Sequence, residues 1–401
     1  MNLWISTPLL AVAVYATAIA TTTALLRLFP RVRESLVSTG SQRYASIDGL
    51  RGYLALGVFI HHTVIIWIAL TTGVVDVPSN KFYAQIGLAS VALFFMVTGF
   101  LFWGRLLKQG KEHDWLAFAV SRLFRIYPLY LLLLAVVVLS VFHLQGWSLM
   151  ESPTALLKHL ALWLTFDRPD INGYPQTGGL IANVTWTLNY ELFFYMTLPF
   201  FGALFIYRGG WQKTILAILA IVLVYKLIGW DHSLRKHIIM MFLGGVAAAY
   251  WVRRPALVAW GQTRLAGIVA LVALALTMSL FHKSFATAPL VLLTLFFVVV
   301  ASGNTLFGAL RLASVRWLGE ISYSTYLLHG FLLWLATRQL PGLMHLDLRD
   351  TVPFLSVVAV STVLLVIIST LSFSYIEKPG IEAGKQVLLR LRSRRANATN
   401  L

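Results

Sequence analysis

Eleven stretches of this chain are apolar enough to leave water for a bilayer, and that recurrence constrains the fold before any single residue does. They run at roughly 7–28, 50–72, 83–104, 125–144, 184–207, 213–230, 237–252, 265–281, 286–303, 317–338 and 352–375. In hydrocarbon a backbone must satisfy its own N–H and C=O groups, so runs of about 20 apolar residues fold as spanning helices. The expected fold class is therefore all-α, a polytopic transmembrane helix bundle. Composition agrees: 58% of the 401 residues are hydrophobic and 12% are charged, against about a quarter charged in soluble domains. Residues 152–166 are shorter and carry Lys158 and His159, which reads as an interfacial or re-entrant helix.

A formal net charge of +17 raises nucleic acid as a partner. The placement of the charge favours membrane lipid instead, because basic residues cluster beside the apolar stretches. Arg27, Arg31, Arg33 and Arg43 follow the first; Arg105, Lys108, Lys111, Arg122 and Arg125 lie between the third and fourth. Arg253, Arg254 and Arg264, then Arg311 and Arg316, then the tail from Lys378 to Arg395 complete the set. With eleven spans these groups share one side, which the positive-inside tendency assigns to the cytoplasm. Counting 152–166 as a twelfth span would scatter them. The N-terminus is therefore expected outside and the C-terminus inside. The first stretch resembles a signal peptide but is longer than a usual apolar core. Leu25-Leu26-Arg27-Leu28-Phe29-Pro30 offers no small-residue cleavage pattern, so it is expected as a retained helix. The absence of Cys excludes disulfides and thiolate metal sites, and no metal is expected.

Within this apolar frame a few ionisable residues stand at depth, where they are expensive and by default functional. Arg51 and His62 are eleven residues apart in Ser46-Ile47-Asp48-Gly49-Leu50-Arg51-Gly52 through His61-His62. On a helix that spacing returns to within about 20° of the starting face and rises about 16 Å, roughly half the hydrocarbon thickness. A guanidinium at one membrane surface and an imidazole near the midplane suit an anionic substrate gripped at the surface and proton chemistry done inside. His62 can serve as a general base; the ordinary alternative is a core histidine bonded to a neighbouring helix. His61 points roughly 100° away and is its neighbour or fallback. Glu191, in Thr185-Trp186-Thr187-Leu188-Asn189-Tyr190-Glu191, is expected about 10 Å below the outer surface, near the depth of His62. There it can fix the tautomer of an imidazole, or simply tie helices together. Arg122 and Arg125 are three apart on one helical face. They suit bidentate phosphate binding or ordinary positive-inside flanking. His329 ends the hydroxyl-rich run Ile321-Ser322-Tyr323-Ser324-Thr325-Tyr326-Leu327-Leu328 and is expected near mid-depth, with Glu320 near the inner surface. Interhelical hydrogen bonding accounts for most of that run.

Taken together these segments resemble acyltransferase family 3, the bacterial membrane O-acyltransferases. The resemblance covers about residues 44–380. It rests on Asp48-Gly49-Leu50-Arg51-Gly52 with His62, Phe94-Phe95-Met96-Val97-Thr98-Gly99-Phe100, Arg122 and Arg125 with Tyr127-Pro128, Thr185-Trp186-Thr187-Leu188 with Glu191, the run Ile321 to His329, and Ser374-Tyr375-Ile376-Glu377-Lys378-Pro379. Thr98 and Thr185 stand where serine is commoner, and Leu328 where tryptophan is frequent. The resemblance implies a ten-helix acyltransferase core at 44–380. To this the chain adds an extra N-terminal helix with a basic cytoplasmic linker (1–43) and a basic cytoplasmic tail (381–401).

It also implies a bacterial inner-membrane enzyme with no permanently bound cofactor. Acyl-coenzyme A, acetyl-CoA being the expected form, is the co-substrate, and a cell-surface glycan or lipid-linked sugar is the acceptor. His62, Arg51 and Glu191 are then the catalytic candidates, and Arg51, Arg122 and Arg125 bind the donor. His61, Trp186, Tyr323 and His329 support the site or face the acceptor. His62 either deprotonates the acceptor hydroxyl or is itself acylated transiently. The rival class is a transporter of an acyl group or lipid-linked substrate, which polar groups at mid-depth would also suit. Against it, the chain has no pseudo-symmetric pair of interrupted apolar segments.

Overall fold

Each apolar stretch folds as helix, because only intrasegment hydrogen bonds satisfy its backbone in lipid. The computed structural model describes residues 6–30, 32–34, 45–206, 210–229, 236–339 and 346–399, and no strand occurs among them. The basic linker expected up to residue 43 lies largely outside these residues. The helices are α1 Leu9–Leu28, α2 Ala45–Thr72, α3 Lys81–Gln109, α4 Trp115–Leu144, α5 Pro153–Trp163, α6 Trp186–Phe205, α7 Trp211–Gly229 and α8 Lys236–Trp251. There follow α9 Pro255–Gly261, α10 Arg264–Leu280, α11 Thr287–Ala301, α12 Ala313–Glu320, α13 Ser322–Trp334, α14 Thr351–Ser372 and α15 Lys378–Thr399. By length and apolarity five helices qualify as membrane spans, or six if α9 and α10, bent by 72°, form one.

Helices α2 and α3 form the centre. They pack on each other, α3 packs on α8, and α2 packs on α12 and α13. Without a hydrophobic force between helices in lipid, such contacts depend on small residues that let backbones approach. Gly319 of α12 lies so close to α2 that a Cβ there would stand 1.8 Å from the Asp48 carbonyl oxygen. At the α3–α8 contact a Cβ on Gly245 would stand 1.9 Å from the Met96 carbonyl oxygen. Neither neighbour is a side chain that can turn away. Gly245→Val is therefore expected to cost more than the usual 1–3 kcal/mol of overpacking. A thermal melt of the detergent-solubilised protein checks this, with a large loss of folded protein as the expected result.

The N-terminal helix α1 packs against α2, α12 and α14, burying Leu10, Ala11, Val14, Ala18 and Leu26. The basic tail does not simply lie on the surface. As α15 it runs along the start of α4, with Gly380 against Pro128 and Gly384 against Phe124. Arg392 of the tail pairs with Asp114, which also caps α4 by accepting from the Ala117 N–H at 2.8 Å. That N–H bond and the guanidinium hold the Asp114 carboxyl below its ordinary range.

One irregular segment decides where the site sits. After the short helix α5 the chain runs from 164 to 185 without an α-helix, yet Ile171, Asn172, Thr177, Ile181 and Thr185 are fully enclosed. Its polar groups are met internally: Asn172 donates to Gln145 Oε1 at 2.6 Å and to the Ser148 carbonyl at 2.8 Å. The segment docks on α13, where a Cβ on Gly330 would stand 2.3 Å from the Ile181 carbonyl carbon. Non-helical backbone at depth is tolerated where protein buries it. Helix α6 therefore starts inside the bundle. The Tyr326 hydroxyl of α13 donates to the Val184 carbonyl at 2.9 Å and lies 2.9 Å from Thr187 Oγ1.

Candidate active site

Two layers of polar side chains are built on these helices. The first lies at the end that carries most basic residues. Arg51 of α2 is 3.7 Å from Asp48, each about 22% exposed, and its charge is felt at Glu191, Glu320 and Glu377. Arg125 of α4 contacts Glu377 at 2.7 Å, and Glu377 is fully buried. The carboxylate also accepts from the Ser324 hydroxyl. Glu377 belongs to a wider, π-helical turn, Phe373–Glu377, between α14 and α15. Such turns shift the helical register and recur at functional sites. Tyr323 donates to the Ile126 carbonyl at 2.7 Å, and the Arg125 guanidinium lies 5.7 Å from its ring centre.

Arg122, one turn before Arg125, faces other partners. Its guanidinium lies 4.7 Å from the Phe102 ring centre and interacts with Tyr195 and Glu191. Glu191 accepts from the Tyr195 hydroxyl at 2.8 Å and from Thr98 Oγ1 at 3.4 Å. So four guanidiniums, those of Arg51, Arg122, Arg125 and Arg316, stand among the four carboxyl groups of Asp48, Glu191, Glu320 and Glu377.

The second layer is imidazole. Counting along α2, His62 stands about 16 Å from Arg51, and along α12 and α13 His329 stands about 13 Å beyond Glu320. Residues 54–61 of α2 are all buried, while Arg51 and His62 are both partly exposed. His62 has the ring of His61 at 5.4 Å and that of His329 at 5.2 Å, centre to centre. His61 itself is turned away: its Nδ1 lies 2.7 Å from the Tyr83 carbonyl, and its ring fills the space where Gly87 lacks a side chain. His329 is fully buried, with Nδ1 2.7 Å from the Tyr326 carbonyl. Trp186 lies outside both layers, in a ring cluster with Phe95, Tyr190 and Phe285. Among the described residues no group of three His, Cys, Asp or Glu is placed to hold a metal ion.

The expected pairing of Glu191 with His62 is corrected. Because α6 starts at the level of Tyr326 and not at the membrane surface, Glu191 lies about 6 Å further toward the basic end than Thr187. It joins Arg122, Tyr195 and Thr98 there, and His329 takes the place beside His62. Arg122 and Arg125 share a turn but not a partner, so they do not form one fork. The sequence placed Glu377 within a motif without a role and Tyr326 within a run assigned to interhelical hydrogen bonding, as found, and left Tyr195 without a role. A carboxylate closing a 22-residue apolar helix, and a tyrosine four residues after a buried glutamate, were the available signals.

Residues 44–373 match the Acyl_transf_3 family model, described as an acyltransferase domain. The exopolysaccharide production protein ExoZ of Rhizobium meliloti (strain 1021) is 29% identical over 257 residues, covering 61% of this chain and 76% of ExoZ. No solved structure matches. A family match running from just before α2 to Phe373 takes in the histidines of the second layer and every charged residue of the first except Glu377, and the chain belongs to the acyltransferase-3 family.

Proposed function

We propose that the protein is an O-acyltransferase of the bacterial inner membrane. It moves an acyl group, acetyl in the simplest case, from cytoplasmic acyl-coenzyme A to a hydroxyl of an exopolysaccharide, another surface glycan or a lipid-linked precursor. Eleven crossings, more than the five or six helices that qualify by length and apolarity alone, put the N-terminus outside and the basic end with its tail in the cytoplasm, around a ten-helix core. The observation that carries this reading is the two-layer arrangement, guanidiniums at the basic end and a partly exposed His62 about 16 Å deeper on the same helix. The name of ExoZ supports a polysaccharide acceptor.

In this reading Arg51 and Arg122 hold the donor's phosphates, because the contact of Arg125 with the fully buried Glu377, at 2.7 Å, is tighter than that of Arg51 with Asp48, at 3.7 Å. The extended donor then brings its thioester toward His62. His62 takes the proton of the acceptor hydroxyl as its oxygen attacks the thioester carbon. The C–S bond breaks, and the departing thiolate receives the proton from the imidazolium. Charge therefore develops and disappears inside the bundle. Purified protein in vesicles, given radiolabelled acetyl-CoA and a polysaccharide fraction, is expected to release free coenzyme A and label the polysaccharide. A label that crosses the vesicle with its thioester intact would instead identify a carrier.

A further inference from the structure

We infer that His329 is a positioning residue for His62, a neutral imidazole that receives the His62 N–H and so turns the free lone pair of His62 toward the acceptor hydroxyl. The inference rests on the reading of His62 as the base. Its basis is the state of His329 in the fold. A carbonyl oxygen can only accept, so the 2.7 Å contact of His329 Nδ1 with the Tyr326 carbonyl places the ring proton on Nδ1. In the neutral ring the other nitrogen, Nε2, then carries the lone pair. It is fully buried and has no hydrogen-bond partner.

An unmet acceptor in such a place is costly, and a group that can donate to it is correspondingly favoured. The His62 ring, 5.2 Å away centre to centre and inclined by 39°, is such a donor. Two imidazoles at that separation reach an N–H···N contact of about 2.9 Å when a nitrogen of each faces the other. His61 holds the same tautomer, its Nδ1–H given to the Tyr83 carbonyl, but its Nε2 is not among the buried atoms left without a partner, whereas that of His329 is. The Tyr326 that orients His329 also ties α13 to the buried start of α6 through Val184 and Thr187.

When His62 accepts the hydroxyl proton, both of its nitrogens carry hydrogen. The His329 lone pair then holds one of them while the other faces the reacting atoms. No proton needs to move to His329, and the balance is that of the transfer itself.

His329→Leu removes the acceptor and keeps the apolar volume. It is expected to lower kcat at least 100-fold while the KM values for acetyl-CoA and acceptor change less than threefold. His329→Gln keeps an acceptor oxygen and is expected to recover activity to within about tenfold of the parent. Both are scored on protein that elutes as a single species in detergent, and a folding defect of the Leu variant leaves the Gln comparison decisive. Equal turnover by all three proteins overturns the inference, as does equal loss in the Leu and Gln variants. His62→Ala is run beside them: full activity there removes the base itself, whereas a dead His62 variant with an active His329→Leu removes only the role given to His329.

Discussion

His62→Ala is expected to lower acyl transfer by about 10²- to 10⁴-fold, the range that a positioned general base contributes, while the protein remains inserted and folded. The folded state should survive because His62 is partly exposed and its described aromatic contacts are with two other imidazoles. Release of coenzyme A and labelling of the polysaccharide should fall together, since one proton transfer serves both. If His62 forms an acyl-imidazole instead, hydrolysis of the donor without an acceptor also disappears in the variant. Under direct attack the parent shows little such hydrolysis to lose. The variant assayed with and without acceptor therefore separates the two routes. Unchanged turnover would move the chemistry away from α2 altogether.

The fold was legible in the apolar pattern because the bilayer leaves the backbone little choice. Every stretch that reads as apolar enough to span falls on a helix, and the segment at 152–166 falls on the short helix α5. What periodicity could not show is depth. The sequence from 164 to 185 reads as a polar loop, with Asp167, Arg168, Asp170, Asn172 and Gln176. A loop is normally placed outside the membrane, which put the start of α6 at the surface and Glu191 beside His62. The segment instead folds inward, meets its own polar groups, and delivers α6 at mid-bundle.

The position of Arg51 and His62 on one helix was readable because eleven residues close three turns. The contact between α2 and α12 was not, since it depends on Gly319 approaching Asp48, and a glycine carries no periodic signal of its partner. Glu377 shows the same limit. It looks like the charged end of a span until the π-helical turn brings it against Arg125.

Arg125→Ala is expected to destabilise the protein by about 3–5 kcal/mol, the cost of stripping the partner from a buried ion. Glu377 is fully buried, and without Arg125 it keeps only its hydrogen bonds with Ser324 and the more distant charge of Arg51. Removing the carboxylate charge from the other side should be milder. Glu377→Gln keeps the volume and a group that Ser324 can bond, and leaves Arg125, 18% exposed, within reach of water or an anion. The asymmetry gives the double variant Arg125→Met with Glu377→Gln its diagnostic value. Replacing both members of a buried pair is often neutral or stabilising, so its thermal melt should return close to the parent, and the two single effects should not add. Activity then assigns the role. If Arg125 also contacts the donor, the double variant melts like the parent but shows a raised KM for acetyl-CoA. If the pair only locks α4 to the α14–α15 turn, stability and KM recover together. A single Arg125→Ala variant as stable as the parent would mean that the carboxylate is not held buried as an ion, and that the turn carrying it is held by packing alone.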